Sequence, residues 1–156
     1  LEAELRAAGL LAPPGAAPAL RALITFTAEQ RDDPSTAVDE GIDALRREAV
    51  LRHEASHARF YTRSAYREHS IRFWHDVLDE AQREGVRRFL ARLGYDRADE
   101  MLMINEAQAF LMNTPDPRAF GATDVGMSQA TLAALRAQFW RTLPPEPDDA
   151  APPPRR

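Results

Sequence analysis

At 156 residues and 17.5 kDa the chain amounts to one domain, long enough to bury a substantial core. Its 24 acidic and 20 basic side chains leave a net charge of −4 and a pI near 5.6, which does not indicate a nucleic-acid footprint; every basic residue is Arg, a bias expected of a GC-rich, bacterial type of coding sequence. The absence of Cys excludes disulfides and thiolate metal ligands, and no apolar run approaches the roughly 18 residues of a membrane span.

Leu1–Leu10 has the composition of a short helix, and Leu11–Pro18, with three Pro and a Gly, is a loop. Arg21–Thr27 is β-branched and aromatic-rich and is the one good strand candidate. After a polar turn at Gln30–Thr36, a long helix is expected from about Val38 to Tyr61, with a break near Gly41. Further helices are expected over about Ala65–Asp79, Gln82–Leu93 (ended by Gly94) and Ala98–Asn113 (stopped by Pro115 and Pro117). Ser128 is a favoured N-cap for a last helix reaching about Arg141. From Pro144 the Pro-rich acidic tail is expected to be disordered. The plan is therefore mainly α, an α+β domain over 1–143 with a small or minimal sheet and a tail over 144–156. No secretory apolar stretch is visible, and compartment stays open between cytoplasm, periplasm and secretion.

The most informative stretch is His53-Glu54-Ala55-Ser56-His57. On a helix, residues i and i+4 share one face, so His53 and His57 can reach a single metal ion with Glu54 beside them as general base. No Pro or Gly interrupts Ile42–Tyr61, so a helix through the motif is credible. The surroundings resemble the longer signature of zinc metallopeptidases: Val50, Leu51, Ala55, Ser56 and Ala58 fit it, and Arg59 departs from it.

A catalytic zinc needs a third protein ligand and an open fourth position. Glu106 is the best candidate. Its helix is apolar almost all round, so it should itself be buried. Asn105 and Gln108 share its narrow polar strip, while Glu106 lies off that strip among Leu102, Met103, Ala109 and Phe110. A carboxylate so placed is costly unless paired or metal-bound.

Ile104-Asn105-Glu106-Ala107 resembles the Asn-Glu segment that supplies the glutamate ligand in gluzincins, the thermolysin-like clan of zinc peptidases. The resemblance covers the two motif helices and implies a zincin-like fold, zinc held by His53, His57 and Glu106, Glu54 as base, and a peptide or protein substrate. Two features depart from the clan's pattern. The 48 residues between His57 and Glu106 exceed thermolysin's interval, and Ala109 and Phe110 stand where an acidic residue often follows the ligand.

Rival ligands are weaker. Asp76 points away from the apolar face of its helix, His75 sits at that face's edge, and His69 is expected near Asp76 on the polar side. Phe60 and Arg63 occupy the positions where a metzincin needs Gly and a third His, and the missing Cys removes the deformylase type. For the oxyanion donor, Tyr61 lies one turn beyond His57, with Tyr66, His69, His75 and Tyr95 as alternatives. Two other classes stay open: a metal-binding or degenerate module without turnover, and a helical interaction domain.

Overall fold

The computed structural model describes residues 43–145, together with Ala22, Ile24 and Thr25. Five α-helices occur among the described residues: α1 (Ala44–Thr62), α2 (Ser64–Arg72), α3 (Glu80–Arg92), α4 (Glu100–Asn113) and α5 (Gln129–Thr142). A π-helical turn at Phe73–Val77 continues α2, and a 3-10 turn at Ala122–Val125 lies between α4 and α5. The mainly helical class holds. No strand is present among the described residues; Ala22, Ile24 and Thr25 lie in none, and the rest of Arg21–Thr27 falls outside the described residues. The expected Leu1–Leu10 helix, the start of the long helix at Val38–Ile42 and the tail from residue 146 also lie outside them.

Each long helix begins at a side-chain cap that satisfies otherwise orphaned amides. Asp43 accepts from the amide of Arg46, Asp99 from Leu102 and Ser128 from Thr131. Asp79 and Gln82 form a reciprocal capping box at α3. Asp99 and Glu100 also place negative charge at the N-terminus of α4, where the helix dipole favours it. Extended backbone at Arg63 ends α1 and lets α2 start at Ser64. The expected helix Ala65–Asp79 therefore takes the form of α2 plus the π turn, where the amide of Leu78 reaches back to the carbonyl of Phe73 at 3.1 Å. The Arg83 guanidinium caps the freed carbonyls of Trp74 and His75. Gly94, with φ +94°, adopts the left-handed conformation that follows α3.

The core is assembled from Phe60 and Tyr66, Phe73 and Trp74, Phe89 and Leu90, Met103 and Leu111, Phe120, Leu132 and Phe139. Burying each large apolar side chain contributes about 1.5–3 kcal/mol. Helix α4 passes through the middle of this core: every residue from Met103 to Asn113 except the half-buried Phe110 is buried. Helix α1 packs along it, so whatever polar groups α4 carries must find partners on α1 or nearby loops.

Candidate metal centre

The polar strip of α4 faces α1 and is fully engaged. The Gln108 amide donates to the Ser56 hydroxyl at 3.1 Å and to the carbonyl of Asn105 at 2.9 Å, while its oxygen accepts from the Tyr66 hydroxyl at 2.6 Å. Ser56 in turn donates to the carbonyl of His53 at 2.6 Å, and Asn113 donates to Tyr66 at 3.1 Å. Burial pushes the Tyr66 phenol up to about 12, against the lowering effect of Asn113 and Arg59. This network sets the rotation of α1 against α4. With Ser56 turned into the interface, His53 and His57 are carried to the same side.

The two imidazoles and Glu106 converge. His53 Nε2 lies 3.1 Å from His57 Nε2, and each is 3.7 Å from Glu106 Oε2. The three form a group of possible metal ligands, two half-buried and one buried. His53 Nδ1 is 3.1 Å from the Thr114 hydroxyl, and His57 Nδ1 is 3.0 Å from Asn105 Oδ1. Asn105 Oδ1 can only accept, so His57 carries its proton on Nδ1 and a lone pair on Nε2. The Phe110 ring stands edge-on to His53 at 4.6 Å and closes one side.

The electrostatics suit a cation at this cluster. Burial, and then the nearness of His57, hold His53 down to about 4, so the ring is neutral at neutral pH. Burial raises the Glu106 carboxyl, as does Glu54, against the lowering effects of His57 and of a hydrogen bond from Tyr95. Glu106 Oε2 is buried and has no hydrogen-bond donor among the described residues. Two nitrogens 3.1 Å apart and an undonated carboxylate oxygen could be satisfied together by one cation. Ligands about 2.0–2.1 Å from a tetrahedral ion lie roughly 3.3 Å from one another, and the observed edges of 3.1 and 3.7 Å bracket that value. The donor set of two imidazoles and one carboxylate fits a divalent ion.

Glu54, between the two His in sequence, is half-buried and close enough for its charge to act on both Glu106 and Tyr95. Burial, then the charge and hydrogen bond of Glu106, push the Tyr95 phenol up to about 12. Tyr61 is exposed, and its hydroxyl accepts from Asn105 Nδ2 at 3.4 Å. The rival ligands are not in the group: His75 and Asp76 are exposed. His69 is not on the polar side near Asp76 as its helix position implied. It is buried against Phe73 and Phe139, with Nε2 on the carbonyl of Phe139 at 3.0 Å.

Two contributors escape a reading of the motifs alone. Asn105 is visible in sequence as part of the polar strip and of the Asn-Glu segment but not as a partner of His57, and Thr114, the residue after the expected helix end, lies 61 positions from the His53 it contacts. Comparison with family models, with curated proteins and with solved structures finds no match. No described helix is long and apolar enough to cross a membrane.

Proposed function

We propose that the chain is a zinc-dependent metallopeptidase of the gluzincin-like type, with a zincin-like helical domain built around α1 and α4. The observation that carries this reading is the convergence of His53 Nε2, His57 Nε2 and the donorless Glu106 Oε2, with Glu54 alongside. His53, His57 and Glu106 are the metal ligands. A zinc ion held there would lower the pKa of a bound water and polarise a scissile carbonyl. Glu54 is the general base: its carboxylate takes the proton of the attacking water and passes it to the leaving amine. Tyr95 and Tyr61 are the candidate hydroxyl donors toward a developing oxyanion. Tyr95 is the one whose phenol is coupled electrostatically to both Glu106 and Glu54. The substrate is a peptide or protein.

A metal-binding module without turnover is the second reading. It is favoured by the lack of any strand among the described residues, since strand addition to a sheet edge is a common way to hold a peptide backbone. Metal analysis and one variant separate the cases. Protein exchanged against chelator and reloaded should bind one zinc per chain, and the double His53→Ala, His57→Ala variant none. Glu54→Gln should keep the zinc and lose peptide cleavage by about 10²-fold or more. A wild-type protein that takes up no zinc removes both metal readings; one that binds zinc without cleaving any member of a mixed peptide library leaves the module.

A further inference from the structure

Building on the metal reading above, we infer that Thr114 is a positioning residue for the metal: its hydroxyl selects the His53 tautomer that presents Nε2 to the ion. Metal-bound His usually donates its second ring N–H to a carboxylate, a carbonyl or water, which fixes ring orientation. In this chain no acidic residue follows Glu106 closely, since Ala109 and Phe110 stand there. Thr114, the residue just past the end of α4, reaches back instead.

A Thr hydroxyl has one hydrogen to give. Thr114 gives it to the carbonyl of Ala109 at 3.0 Å, so toward His53 Nδ1, at 3.1 Å, it acts only as an acceptor. The ring proton is therefore on Nδ1 and the lone pair on Nε2, facing His57 and Glu106. Thr114 is 3% exposed, and its own place is fixed twice over. Arg136 on α5 donates to its carbonyl at 2.9 Å and to that of Leu111 at 2.6 Å. Four residues on, Arg118 pairs with Asp116 at 2.9 Å and with Asp43, the cap of α1, at 2.6 Å. The loop that orients His53 is thus tied to the N-cap of the helix that carries His53. Asn105 does the corresponding work for His57 from within α4. Both rings are oriented by neutral acceptors, so among the three residues that would hold the ion Glu106 is the one that can supply negative charge.

The test uses Thr114→Val, which keeps shape and removes the hydroxyl, with Thr114→Ser as the conservative rescue. Zinc affinity is read by competition with a chromogenic chelator, and the His53 tautomer by long-range ¹⁵N–¹H NMR of the zinc-free protein. Thr114→Val is expected to bind zinc about 10–100-fold more weakly, with Thr114→Ser within about threefold of wild type. Wild-type and Ser proteins should show His53 Nε2 as the unprotonated nitrogen. If wild type binds no zinc, the metal reading itself fails. If wild type binds zinc and Thr114→Val binds it equally tightly, the role of Thr114 is overturned. Should Thr114→Val not fold, a wild-type His53 protonated on Nε2, or a Thr114→Ser protein as weak as an alanine variant, overturns it just as directly.

Discussion

Glu106→Gln provides a test in which two quantities must move in opposite directions. In the zinc-free protein Glu106 is 6% exposed, and its Oε2 has no donor among the described residues. Leaving a buried acceptor unsatisfied costs about 1–3 kcal/mol. Gln keeps the shape, drops the buried charge and offers an N–H to the imidazole lone pairs. The metal-free variant should therefore be more stable than wild type by about 1–3 kcal/mol, with each kcal/mol worth about 2–4 °C of Tm in a chain of this size. The stabilisation gained from zinc runs the other way. At free zinc a hundred times the wild-type Kd, wild type gains about 2.7 kcal/mol; a variant weakened about a hundredfold gains only about 0.4 kcal/mol at the same zinc. The pH dependence has a definite sign. Burial raises the folded-state carboxyl above its unfolded value, so the folded protein holds this proton longer. His53, held down to about 4, adds stability over an overlapping pH range in both proteins, so the Glu106 contribution is read as a difference: zinc-free wild type should lose stability relative to Glu106→Gln as pH rises from the unfolded carboxyl pKa through the raised folded one. Over the same window the zinc-induced gain of wild type should grow, because the ligand must be ionised. Urea unfolding with chelator and with buffered zinc, across this pH range, reads all of these. A metal-free Glu106→Gln protein less stable than wild type, or an undiminished zinc response, would refute the reasoning.

Two further outcomes concern the scaffold. A Cβ added at Gly85 would lie 2.1 Å from the backbone oxygen of Val125 and 3.1 Å from its carbonyl carbon, so Gly85→Ala must separate α3 from the 3-10 turn and should cost about 1–3 kcal/mol or more in urea unfolding; an unchanged midpoint contradicts that close approach. Arg118→Leu strands Asp43 and Asp116, which are 4% and 1% exposed, and should lower stability at neutral pH. The Arg118 hydrogen bond holds the Asp116 carboxyl below its ordinary value of 3.8, so its contribution is present above that pH and disappears as pH falls through the depressed folded value. The gap between wild type and Arg118→Leu should accordingly close on acidification, and a gap that stays constant from neutral pH down through the carboxyl range counts against the clamp.

The helical plan was legible because its punctuation is local. Asp43, Asp79, Asp99 and Ser128 cap their own helices within three residues, and Gly94 and Pro115 stop two of them. Local signals also misplace things where tertiary packing decides. The α2 register alone put His69 with the polar residues. The π turn at Phe73–Val77 inserts an extra residue per turn directly after α2, and the approach of Phe139 from α5 supplies both a ring and a carbonyl, so the imidazole is buried. Neither cause is written in the spacing of residues 64–79.

The site divides along the same line. His53 and His57 were readable because one helix turn places them, and Glu106 because an ionisable side chain on an almost wholly apolar helix demands a partner. What orients the imidazoles was not readable from pattern: Asn105 and Thr114 act across 48 and 61 positions of sequence, and their contacts exist only because the Ser56–Gln108–Tyr66 network fixes how α1 lies on α4. That network has a consequence for function. It is buried, saturated with hydrogen bonds and independent of any ion, so the rotation of the two helices that brings the three ligands together is set before metal arrives. Little rearrangement would then oppose the binding of an ion, and the cost of the donorless Glu106 Oε2 falls on the cluster itself, where an ion would relieve it.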